Sequence, residues 1–300
     1  MKTALECLSC YLRQAMQVAR LSTDDTELQL EALRSVARLT SKMDMAKTPP
    51  ENSIAVYRAL AEITSCPDPY AAIKKESNHD ALALHSQFAE MIAKAADPLA
   101  FALRLAIGGN IIDYGAMHDF DVDVALDRCL QVSYAVDDGS LLLARLRSLQ
   151  GGAKILYLAD NSGEIVYDSL VIQELTEMGL DVTVAVKSAA IINDALMADA
   201  CSAGIDNYAT IIENGTSCPG TPLDRCSEEF LVAFTTADLI LSKGQGNFET
   251  LSETEAEIFF LLTVKCPVVG AHLAEISGTT AEALPGAGEL ALYYYNGIKG

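Results

Sequence analysis

The sequence predicts an α/β protein, with a doubly wound, mostly parallel Rossmann-like sheet (an α/β/α sandwich) joined to an all-helical amino-terminal domain. Three observations carry this expectation. Residues 1–150 read almost wholly as helices, and from Lys154 onward strands and helices alternate. The run Ile155-Leu-Tyr-Leu-Ala159 is continuously apolar, as expected of a strand buried on both faces of a parallel sheet. The change of texture falls at Gln150-Gly-Gly152, a hinge that separates a helical domain over 1–150 from an α/β domain over 151–300.

Taken in order, apolar spacings of three and four predict helices over 6–20, 26–40, 52–64, 69–94 and 98–107, then 123–131 and 139–149. Pro, Asp and Asn clusters punctuate them. Beyond the hinge the expected strands are 154–159, 181–187, 208–212, 239–242 and 267–270. Helices are expected from 164 to about 178, from near 193, over 227–235 and over 253–263. Crossovers between parallel strands are right-handed. The common order 3-2-1-4-5 makes the first and fourth strands neighbours, so Asp160 and Lys243 face one crevice. The Tyr293-Tyr-Tyr295 run packs the last element.

Composition narrows the function. The 300 residues carry a formal charge of −20, unevenly shared. Residues 1–150 hold 15 basic against 20 acidic side chains, and residues 151–300 hold 6 against 21. Such a surface excludes general nucleic-acid binding, and an anionic substrate fits only where a metal or a local cation reverses the field. No stretch is apolar enough for a membrane span and no secretory signal opens the chain, which implies a cytoplasmic protein without membrane partners. The eight cysteines are scattered, as free thiols buried in a reducing compartment would be.

Three polar patches follow predicted strands at one sheet edge, where ligands bind in open α/β sheets. They are Asp160-Asn-Ser-Gly-Glu164, Asn193-Asp194 and Ser242-Lys-Gly-Gln-Gly-Asn-Phe-Glu249. Two carboxylates and an amide oxygen, from Asp160, Asn161 and Asp194, make an oxygen-rich site for a hard divalent cation. Gly244 and Gly246 allow close backbone approach to an anion, and Lys243 supplies a point charge. Each patch alone has a plainer reading. Asp-Asn-Ser-Gly is turn and cap chemistry, Asn193-Asp194 caps a helix, and Gly244-Gln-Gly246 lacks the third glycine of a dinucleotide fingerprint. Their convergence on one edge favours a site.

These patches resemble the motifs of the DUF89 family, the metal-dependent damage-control phosphatases. Cys7-Leu-Ser-Cys10 with Arg13-Gln14, Asp68-Pro-Tyr70 through Lys75 to Ser77-Asn78, and Gly109-Asn-Ile-Ile-Asp113 resemble it too. The closest subgroup is the archaeal and bacterial one with an amino-terminal Cys-x-x-Cys. The resemblance implies a divalent metal (Mn²⁺, Co²⁺, Ni²⁺ or Mg²⁺) on Asp160, Asn161 and Asp194. It implies hydrolysis of phosphate monoesters of a small phosphorylated metabolite, a sugar phosphate or a damaged phosphometabolite, by metal-activated water. Asp160, Asn161 and Lys243 are then catalytic. Ser162 and Gly163, through their amides, join Glu164, Gly244 and Asn247 in binding substrate, and Asn110 and Asp113 reach in from the helical domain. Ser162 departs from the family's more frequent alanine. A non-catalytic phospho-ligand binding protein is the alternative use of the crevice. Cys7 and Cys10 read as core packing, half a zinc site or a redox pair, and the four histidines show no ligand spacing.

Overall fold

A computed structural model describes residues 1–108 and 132–297. Asn110, Asp113 and the helix expected over 123–131 lie outside the described residues. Five helices open the chain: α1 (Leu5–Ser22), α2 (Thr26–Thr40), α3 (Pro49–Thr64), α4 (Ala71–Lys94) and α5 (Pro98–Gly108). Their starts follow from capping chemistry. The Asp25 carboxylate accepts from the Glu27 and Leu28 amides. Thr48 and Glu51 form a reciprocal capping box ahead of Pro49-Pro50. Helices α1–α3 bury Tyr11, Ala15, Ala19, Val36, Val56 and Leu60 against one another.

The sheet has seven strands among the described residues: β1 (Val136–Asp137), β2 (Lys154–Leu158), β3 (Asp181–Val186), β4 (Thr210–Glu213), β5 (Leu239–Lys243), β6 (Ile258–Val264) and β7 (Glu289–Tyr295). Their order is β1-β7-β6-β5-β2-β3-β4, and only β6–β7 pairs antiparallel. Strand β2 therefore lies between β3 and β5, the point where chain order reverses direction across the sheet.

Side chains alternate between the two faces with period two. On one face Ile155, Tyr157, Val184, Leu241 and Leu261 meet α4, α5, α6 (Gly139–Ser148) and α7 (Glu164–Glu177) in one core. Phe88 of α4 sits edge-on to Tyr167 of α7, ring centroids 5.5 Å apart. On the other face Leu156, Leu158, Ile240, Phe260 and Leu262 meet α9 (Glu228–Thr236), α10 (Gln245–Leu251) and α11 (Pro267–Ser277). A short α8 (Met197–Ser202) follows β3. Helices α4–α6 thus share a core with the sheet, while α1–α3 form a cluster of their own.

Three expectations fail here. The segment expected as helix over 253–263 contributes β6, because Ile258-Phe-Phe-Leu-Leu-Thr-Val264 is buried along its whole length between strands β5 and β7. A run apolar on every side carries no period, so helix and buried strand look alike in it. The segment expected as strand over 267–270 instead opens α11, with Pro267 in the first helical turn after Cys266. Asn193 begins no helix, since α8 starts at Met197. The tyrosine run ends β7.

Candidate active site

Strands β2, β3, β5 and β6 run parallel, so the loops after their carboxyl ends meet at one edge of the sheet. A second, non-local pairing tightens the meeting. Residues 160–162 lie beside 193–195: the Ala195 amide donates to the Asp160 carbonyl at 2.8 Å, the Ser162 amide donates to the Asn193 carbonyl at 2.9 Å, and Asn161 bridges Asp194. Asp160, Asn161 and Asp194 consequently stand together, all buried, on the wall of a cavity of about 550 Å³. Asn161 Nδ2 donates to Asp160 Oδ2 (2.8 Å) and Glu164 Oε1 (2.7 Å), which leaves its Oδ1 as the free end.

This acid cluster lacks full compensation from the protein. Burial pushes the Asp160 carboxyl up to about 7, with Glu164 adding to the rise and Lys265, Lys187 and Lys243 opposing it. Burial likewise lifts Asp194 well above the ordinary carboxylate range, against the pull of Lys187. Asp194 Oδ2 is buried without a hydrogen-bond partner, and Lys187 Nζ stands 3.7 Å from it. Among the described residues no three His, Cys, Asp or Glu side chains form a metal site by themselves. The set here is two carboxylates and an amide oxygen. An orphaned buried oxygen, two carboxylates held towards neutrality and an all-oxygen donor set fit a hard divalent cation.

Several expected substrate contacts are turned to other work. The Lys243 ammonium does not line the cavity. It donates to Asp168 Oδ1 (2.7 Å) and the Ala106 carbonyl (2.8 Å), with Glu164 Oε2 3.7 Å away. The reason is strand parity: Lys243 shares the face of Leu239 and Leu241, which looks towards α5 and α7. Burial opposes its charge, but Asp168 and Glu164 outweigh burial and raise its pKa. The amides expected to cradle phosphate are also committed, that of Ser162 to Asn193 and that of Gly163 to Asn78 Oδ1 (2.7 Å). Asn78 in turn donates to Asp199 (2.6 Å), tying α4 to the site loop.

The glycine spaces are filled by protein. A Cβ on Gly244 would lie 2.1 Å from the Asp160 carboxyl carbon, and one on Gly246 would lie 2.0 Å from the Pro219 carbonyl oxygen. Asn247 spends its amide on the Ala159 and Lys243 carbonyls and accepts from Thr221 and Lys187. Glu164 supports Asn161 from behind the cavity wall. These residues shape the loop that carries the cluster.

Two lysines that sequence reasoning gave no role stand in the cavity and behind its wall. Lys265 lines it just after β6 and is the foremost positive influence on Asp160. Lys187, just after β3, is buried, donates to the Gly220 carbonyl at 2.9 Å and faces Asp194. Lys187 carries the signal that singled out Lys243, a lysine at the carboxyl end of an expected strand; Lys265 carries it only because 258–264 is a strand. The far wall comes from α1 and α3 through Cys7, Cys10, Arg13, Gln14 and Tyr57. Cys7 is buried in the α1–α3 core and Cys10 is half-buried, and both open onto the cavity. All the described cysteines are free, but only Cys7 and Cys218 are buried; Cys10, Cys66, Cys226 and Cys266 are partly buried and Cys201 is exposed.

Glu249 also lines the cavity, and burial pushes its carboxyl up from 4.5 to about 7, against a hydrogen bond from Gln245 (2.8 Å). A folded-state pKa raised above the unfolded one means the native state binds the proton more tightly. This group's penalty is therefore absent below about pH 4.5, grows as pH rises, and is complete above about pH 7. Its full size is about 3 kcal/mol. Glu249→Gln should melt higher than wild type at pH 8 and at the same temperature near pH 4. A constant difference across that range would refute the assignment.

Comparison with known proteins finds similarity along nearly the whole chain. A family model described as the damage-control phosphatase ARMT1-like domain matches residues 3–279. A damage-control phosphatase of Pyrococcus horikoshii is 33% identical over 290 residues, covering 91% of this chain and 94% of that protein. A damage-control phosphatase of Archaeoglobus fulgidus is 32% identical over 277 residues, covering 90% and 94%. The crystal structure of a DUF89 family protein from P. horikoshii superposes with a TM-score of 0.84 at 31% identity, over 98% of this chain and 99% of that one. Among the described residues no helix is long and apolar enough to cross a membrane.

Proposed function

This chain belongs to the damage-control phosphatase ARMT1-like family, and from that premise we propose that it is a divalent-metal-dependent phosphatase acting on monoesters of small phosphorylated metabolites. One observation carries the reading: Asp160, Asn161 and Asp194 converge, all buried, on a cavity that Lys265 also lines, and Asp194 Oδ2 there has no hydrogen-bond partner.

Asp160, Asn161 and Asp194 would hold the cation. When bound, it supplies a Lewis acid that lowers the pKa of water and neutralises charge developing on the phosphoryl oxygens. Asp160 is assigned to the cation and not to attack on phosphorus, since its Oδ2 is already tied to Asn161 and its carboxyl group is pressed against Gly244. Asn161 is oriented by its two carboxylate partners and offers its carbonyl oxygen. Lys265, and not Lys243, places a positive charge at the mouth of the cluster for the transferring oxygens. Helices α1 and α3 supply the wall of the cavity opposite the cluster.

The test is phosphate release from para-nitrophenyl phosphate by metal-stripped protein, titrated with Mn²⁺, Co²⁺, Ni²⁺ and Mg²⁺. Wild type should recover turnover with at least one metal, while Asp160→Asn and Asp194→Asn should not. Metal binding without turnover would favour a phospho-ligand binding protein. Turnover that survives chelation would remove the cation from the mechanism.

A further inference from the structure

Among the described residues two cations line the cavity, and they stand in different places. Lys265 acts on Asp160, whereas Arg13 projects from α1 and acts on the Cys10 thiol. Arg13 has no carboxylate or carbonyl partner among the described residues, in a chain with nearly twice as many acidic as basic side chains. Its neighbour Gln14 also lines the cavity. The Tyr57 hydroxyl donates to Gln14 Oε1 at 3.0 Å, which leaves the amide Nε2 as the free end. Burial pushes the Tyr57 phenol well above its ordinary value, so it remains a donor and keeps Gln14 turned that way. A guanidinium fork beside an oriented amide is donor chemistry suited to a planar or tetrahedral anion.

We propose that Arg13 and Gln14 form a second anion subsite on the α1 wall, so that the preferred substrates carry a phosphate monoester and, at the other end, a carboxylate or a second phosphate. This deepens the phosphatase reading and rests on it. The hydrolysed phosphate takes the Asp160–Asn161–Asp194 end with Lys265. The cavity volume of about 550 Å³ leaves room beyond a phosphate for the body of a small metabolite reaching α1. The subsite selects among monoesters and takes no part in the chemical step.

The test compares matched pairs: 3-phosphoglycerate against glycerol 3-phosphate for a carboxylate, and fructose 1,6-bisphosphate against fructose 6-phosphate for a phosphate. Wild type should prefer the doubly anionic member of at least one pair by about 10- to 100-fold in kcat/KM, the range of one charge-assisted contact. The pair that shows it names the anion. Arg13→Met should collapse that ratio towards one, Arg13→Lys should restore part of it, and Arg20→Met on the same helix should leave it unchanged. Calorimetric binding of the same pairs to metal-stripped wild type and to Asp160→Asn, neither of which is expected to turn over, reads the preference without hydrolysis. An absence of hydrolysis with a retained, Arg13-dependent binding preference would fail the phosphatase and keep the subsite. Equal treatment of both members, or a preference indifferent to Arg13, would overturn the subsite.

Discussion

Lys243→Met is expected to destabilise the protein by about 3–5 kcal/mol, the cost of removing one partner from a buried ion pair. Lys243 is 2% exposed and its partner Asp168 is fully buried. Without the ammonium, Asp168 keeps only the Tyr157 hydroxyl, at 2.7 Å, and Glu164 loses its nearest cation. Burial already raises the Asp168 carboxyl, with Lys243 as the chief opposing influence. The variant should therefore take up a proton at Asp168 on folding, and adding Asp168→Leu should recover much of the loss, because an apolar pair replaces an ion pair with little cost. Urea unfolding of the two variants checks this. A Lys243→Met protein of wild-type stability but without turnover would return Lys243 to the catalytic group.

Gly244→Ala is expected to cost the site its function, with a fall of about 100-fold or more in metal-dependent turnover, as for an Å-scale misplacement of a catalytic group. Gly244 sits at φ +82°, a conformation that costs a residue with a side chain about 1–3 kcal/mol. The larger effect is steric. The added methyl would occupy space held by the Asp160 carboxyl, so Asp160 must leave its place beside Asn161. Turnover and calorimetric metal binding should fall together. Retained binding with lost turnover would mean that Asp160 is not a ligand.

Much of this was legible in the residues. The apolar run of β2 followed by Asp160-Asn161 marks a strand end at a switch point, and the neighbouring of β2 and β5 follows from common topology. The alternation that turns Lys243 away from the cavity is also present in the sequence, since Leu239 and Leu241 share its parity. Lys265 stayed hidden because β6 has no period to betray it, and reading helix there moved the strand end elsewhere. The fate of the Ser162 and Gly163 amides is not a local matter. It is decided by Asn193 and Asn78, 31 and 85 residues away in the chain. The α1 wall is similarly a product of tertiary packing, to which helical periodicity is blind.

The distance along the chain between the two walls of the cavity has a bearing on biosynthesis. Cys7 and Arg13 leave the ribosome about 250 residues ahead of Lys265 and Val268. At translation speeds of about 5–20 residues per second, that interval is roughly 13–50 seconds. Helices α1–α3 can collapse on their own core meanwhile, but the face that α1 turns to the cavity waits unpartnered. The α1 wall thus meets the Lys265 wall only after residues 265–268 have emerged, and until then a nascent chain has only part of its candidate site.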